Sequence, residues 1–215
     1  LPIIMILITF KNQTAKKQFD VVADVNPTLV ERYGLFTIIV LGEVIVGIVS
    51  GVMTQHHFAW DTGIAVVLGV LIAIFVWWSY FGTVAHRIPR PGTFSFSGWY
   101  YLHLPLTLGI IAAGASLSKI MEYSDTYVPE NIKWLFSASL ALVYLCISIL
   151  IFIVKQKPDH KVYTKTGSIV MIISSIFVLI LALFKLSTLL FLGIVTVLLF
   201  LPILIGFIAW LKAVE

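Results

Sequence analysis

The sequence predicts an all-α, polytopic transmembrane helix bundle, with six full spans and one partial span at its N-terminal end. Three observations carry this. Hydrophobic residues make up 60% of the 215 residues and charged residues only 11%, against about 25% charged in a soluble domain. Mean hydropathy is +1.06. Apolar runs of bilayer length recur between short polar loops. All of 1–215 therefore reads as a single transmembrane domain. The net charge of +4 does not mark a nucleic-acid binder, because the basic residues lie in short loops between apolar runs.

In chain order, residues 1–10 read as the tail of a helix entered midway, followed by a polar connector at 11–27 carrying Lys11, Lys16 and Lys17. The hydrophobic start lacks the charged flank and small-residue cleavage site of a signal peptide. The expectation is a chain forming the C-terminal part of a longer protein. Span A, about 28–52, has Asn26 or Thr28 as candidate N-caps. Span B, about 62–82, is capped by Asp61 or Thr62 and closes on Trp77-Trp78-Ser79-Tyr80-Phe81, aromatics suited to the membrane–water boundary. Span C covers about 97–119, span D about 131–154, span E about 167–184 and span F about 188–211. Pro105 and Pro202 should kink spans C and F. Spans D to F carry few polar residues and read as scaffold.

Lysine and arginine alternate between the two ends of these spans. The connector 11–27, the loops 83–96 and 155–166 and the C-terminus hold ten of the fourteen basic residues. That end is cytoplasmic by the positive-inside rule, and so is the C-terminus. Cys146 is the only cysteine, which leaves no disulfide or cysteine-based metal site. His56-His57 with Asp61 is the one metal-like cluster, and its spacing is weak. No metal or cofactor is expected.

Ionisable groups at membrane depth carry the functional reading, because they are costly there. Arg32 and Glu43 are eleven residues apart, a separation that leaves them about 20° apart around a helix and about 16 Å apart along it. Arg32, Phe36, Ile39, Glu43, Gly47 and Gly51 should share a face, and the small residues suggest that this face meets another helix. Glu43, about 18 Å along the helix from Glu31, is the candidate proton- or cation-coupling group. The orientation also puts Glu31, Arg32, Tyr80, His86 and His103 at one depth, where they form a candidate vestibule. His86 and Arg87, with Trp77 and Trp78, are candidates for the interface or for a lipid headgroup. An interfacial belt of aromatics and a snorkelling arginine explain part of the same pattern. No GxSxG, HExxH, P-loop or Rossmann pattern occurs, and nothing in the spacing of Ser95, Ser97 and His103 requires a nucleophile and base.

At Glu31-Arg32-Tyr33-Gly34-Leu35-Phe36, leading into Leu41-Gly42-Glu43, the sequence resembles the bacterial low temperature requirement A family. Trp78-Ser79-Tyr80-Phe81 and Tyr101-Leu102-His103-Leu104-Pro105-Leu106 agree with it, so the resemblance covers spans A to C. It implies a polytopic protein of the bacterial cytoplasmic membrane. The family name records a growth phenotype in the cold and leaves the activity open. The reading is a transporter- or channel-like protein, not an enzyme, with the bilayer and a small ion, proton or anionic lipid as partners. The alternatives are a membrane-embedded enzyme, a headgroup-binding protein and a noncatalytic membrane component.

Overall fold

The computed structural model describes residues 27–55, 59–156 and 161–214. Six helices account for nearly all of them: α1 (Pro27–Met53), α2 (Trp60–Thr83), α3 (Thr93–Met121), α4 (Glu130–Ile153), α5 (Lys161–Leu181) and α6 (Thr188–Val214). Five are long and apolar enough to cross a membrane. The apolar part of α5, Lys165–Leu181, is shorter. The fold is all-α, with no strand among the described residues. The expected partial span at 1–10 and its connector lie outside the described residues.

The packing follows a ring. α1 lies on α3, α3 on α4, α4 on α5, α5 on α6, α6 on α2, and α2 closes back on α1. Small residues bring the helices together, as the sequence suggests. A side chain at Gly47 would meet the Gly114 carbonyl oxygen at 2.6 Å, and one at Gly51 would meet the Ser118 carbonyl. Gly114 faces the Val44 backbone, Gly109 faces Val143, and Gly69 faces the Ile48 side chain. With little hydrophobic driving force between helices in lipid, such close backbone approach holds the bundle together.

Helix boundaries depart from expectation where tertiary contacts take over. α2 begins at Trp60, and Ala59 at its N-cap supplies no side-chain bond. The Thr62 hydroxyl, expected as a cap, donates instead to Gln55 Oε1 at 2.7 Å and lies 3.0 Å from Ser124 Oγ. α3 begins at Thr93, where Gly92 ends the preceding loop with a φ of 119°. That positive angle is open to glycine and strained for other residues.

Spans D to F are not featureless scaffold. Ser148 donates to the Ser168 carbonyl at 3.1 Å and Ser168 returns a bond to the Ser148 carbonyl at 3.2 Å, pinning α4 to α5. The buried Lys133 ammonium donates to the Phe184 carbonyl at 2.8 Å in the turn after α5.

Candidate functional site

His103 and Tyr80 are the most enclosed of the candidate site residues that the sequence singled out, each with 1% of its surface exposed. His103 lies in the third turn of α3. Its Nδ1 is 2.7 Å from the Trp99 carbonyl one turn earlier. A carbonyl only accepts, so Nδ1 carries the proton, and the neutral ring leaves Nε2 as an acceptor. The Tyr80 hydroxyl, 3.0 Å from Nε2, is the donor. Three aromatic rings pack around the imidazole: Tyr33 at 4.7 Å, Trp99 at 4.8 Å and Tyr80 at 5.9 Å between centroids. Both ring nitrogens are engaged, which leaves neither to activate Ser95 or Ser97.

Tyr80 and His103 are thus brought together as expected, while the rest of the expected vestibule is not assembled. Glu31 and Arg32 are exposed on the far side of α1, and His86 is exposed in the loop after α2. The rotation of α1 separates the residues. Tyr33 turns inward onto His103, so its two predecessors, 100° and 200° round the helix, turn out. Tyr33 and Trp99 are the residues that sequence reasoning missed. Trp99 was legible as the i−4 neighbour of His103 on one helix face.

Glu43 also departs from expectation. It is exposed, and Arg32, Phe36, Ile39 and Glu43 form an outward stripe on α1. Gly47 and Gly51 do meet α3, because each four-residue step advances about 40° round the helix. The shared face therefore curls from the outside at Glu43 to the interior at Gly51. Among the described residues no hydrogen bond or ion pair involves the Glu43 carboxylate.

The junction of α1, α2, α3 and α4 is closed. Leu41, Ile72, Val76, Ile110 and Leu140 surround a void of about 10 Å³, at the lower limit of the roughly 10–15 Å³ that one water needs. Its lining is apolar. Toward the opposite end from His103, Gln55, Thr62 and Ser124 form a polar cluster, with Gln55 also bonded to the Met121 carbonyl. No local pattern announces this cluster, because its members come from three separate segments. His56 and His57 lie outside the described residues.

A larger cavity, about 480 Å³, opens between α2, α5 and α6. Trp78 stands at its rim, and Arg87 reaches its end from the loop after α2. That loop is strapped to the end of α4: Arg90 N–H donates to the Ile153 carbonyl at 3.0 Å and Lys155 N–H to the Ile88 carbonyl at 2.9 Å. Burial lowers the Arg87 pKa from the usual arginine value. Trp77 is half-exposed and stacks on Phe81 at 5.6 Å.

The model of one family, the bacterial low temperature requirement A protein (LtrA), matches residues 3–209. The chain belongs to that family. The match runs through all six described helices, so the likeness read from spans A to C extends over the LtrA chain as far as α6. Together with its long apolar helices, membership makes this a multi-pass membrane protein. Among curated proteins nothing matches it, and among solved structures nothing matches either.

Proposed function

We propose that this LtrA-family protein is a transporter- or channel-like component of the bacterial cytoplasmic membrane, not an enzyme, in which Glu43 takes up a proton or small cation. The supporting observation is the carboxylate itself, exposed on a stripe of α1 between Ile39, Ile45 and Val46. A carboxyl group that deep is costly against hydrocarbon and is met by water, a cation or another protein surface. The route runs along this open face of α1, since the junction of α1 to α4 behind it leaves a void of only about 10 Å³ among apolar side chains. Arg32, about 16 Å nearer the cytoplasm on the same stripe, attracts anions or repels cations at the entrance. In this reading Tyr80 and His103 serve the fold, locking α2 to α3 behind that face. The loops at 83–96 and 155–166, and the C-terminus, are cytoplasmic.

The test is flux in reconstituted vesicles. Glu43→Gln is expected to abolish proton or cation flux, or its pH dependence, and Glu43→Asp to retain part of it. Because the carboxylate has no partner among the described residues, neither change should unfold the protein. Unaltered flux in Glu43→Gln removes the assignment.

A further inference from the structure

The cavity between α2, α5 and α6 is almost wholly apolar, yet Arg87 stands at its end. The other polar groups of its wall are already spent. Ser79 Oγ is 3.2 Å from the Tyr144 hydroxyl, which itself donates to the Leu199 carbonyl at 2.8 Å, so Ser79 is the donor to Tyr144. The Thr83 hydroxyl turns back to the Ser79 carbonyl. Arg87 is different. Its Nη1 is buried with no hydrogen-bond partner, and its Nη2 makes only a long 3.4 Å contact with the Gly82 carbonyl. Among the described residues no carboxylate pairs with it. A buried guanidinium nitrogen left without an acceptor bears an uncompensated desolvation cost, which an anion would remove.

The rest of the cavity specifies what else the anion carries. Its volume of about 480 Å³ falls within the roughly 300–1,000 Å³ of ligand sites. Its rim residues Trp78, Leu204 and Phe207 are exposed on the side that would face lipid. Arg90 and Lys155, both exposed, are held at the same end by the loop-to-α4 strap and add positive charge there. A small hydrophilic anion would satisfy Arg87 but leave this apolar space empty. A neutral lipid would fill the space but leave Arg87 unpaired.

We infer that the cavity is a binding site for an anionic membrane lipid, with the headgroup phosphate on Arg87 and an acyl chain between α2, α5 and α6. Arg87 is suited to the role because its planar fork grips a phosphate through two parallel hydrogen bonds. The site is separate from the Glu43 stripe and does not depend on the transport reading.

The experiment reconstitutes the full chain in vesicles of equimolar phosphatidylglycerol and phosphatidylcholine, extracts it in mild detergent, and counts retained lipid by native mass spectrometry. Wild type should retain phosphatidylglycerol over phosphatidylcholine, and Arg87→Gln should lower that retention by about tenfold or more, given one to two charge-assisted bonds. Arg87→Lys should retain an intermediate amount. Gly206→Phe tests the tail: Gly206 lines the cavity and a Cβ there meets nothing within 4 Å, so the bulky ring should compete with the acyl chain and lower retention with Arg87 intact. Millimolar inorganic phosphate should not displace the lipid. Equal retention of both lipids, or no loss in Arg87→Gln, overturns the proposal. So does displacement by free phosphate with no effect of Gly206→Phe, which would make this a soluble-anion site. If Arg87→Gln does not fold, Arg87→Lys and Gly206→Phe decide the matter.

Discussion

Removing one oxygen from Tyr80 isolates the energetic role of the histidine site. In Tyr80→Phe the ring keeps its packing, but His103 Nε2 loses the donor 3.0 Å away. The ring cannot rescue itself by changing tautomer, because Nδ1 must keep its proton for the Trp99 carbonyl at 2.7 Å. Nor can water enter freely, with both side chains only 1% exposed. An acceptor stranded in this way costs about 1–3 kcal/mol. Interhelical hydrogen bonds in membranes contribute less, about 0.6 kcal/mol on average and up to about 1.7. The upper part of that range applies, since the pair is enclosed by the rings of Tyr33 and Trp99. We therefore expect Tyr80→Phe to destabilise the bundle by about 1–2 kcal/mol, roughly 5- to 30-fold in the unfolding equilibrium. Reversible unfolding in mixed micelles of a mild detergent and dodecyl sulfate measures this by tryptophan fluorescence. A cycle with His103→Leu gives the coupling, expected to lie between about 0.6 and 1.7 kcal/mol. A single-variant change within about 0.3 kcal/mol and a coupling of zero would refute the tautomer argument and the claim that this bond locks α2 to α3.

Two further outcomes follow from the packing. Gly47→Ala puts a methyl 2.6 Å from the Gly114 carbonyl oxygen, so α1 and α3 must part, at about 1–3 kcal/mol. Gly42→Ala on the same helix meets nothing within 4 Å and should be neutral or stabilising by up to about 1 kcal/mol; the same unfolding assay separates the two. Lys133→Met keeps the aliphatic stem but strips the 2.8 Å bond to the Phe184 carbonyl. Hydrogen exchange should then rise in the turn between α5 and α6, with a stability loss of about 1 kcal/mol, and unchanged exchange there would show that the ammonium is not what holds the turn.

The hydropathy of the chain was enough to determine an all-α membrane protein, and its short motifs were enough to suggest the family. Burial in lipid forces every backbone polar group into helical bonds, so long apolar runs leave few alternatives. The glycine pairs were legible for a related reason: four-residue spacing is a local property of one helix, and Gly47, Gly51 and Gly114 do seat α1 against α3. The Tyr80–His103 pair was within reach because topology alone fixed its depth.

Rotation about the helix axes was left to the tertiary structure. Depth follows from counting residues, but the direction in which a helix turns depends on which neighbours its small and large side chains fit. Glu43 shows the limit: its depth could be counted, while its place on the outer stripe depended on how Gly47 and Gly51 dock onto α3. Arg87 shows it too, since nothing in a loop sequence says that a guanidinium will end against a cavity that its own α2 forms with helices 80 to 120 residues further along. Local chemistry chose the helices and their ends in the membrane; side-chain fit between segments distant in the chain decided which polar groups meet.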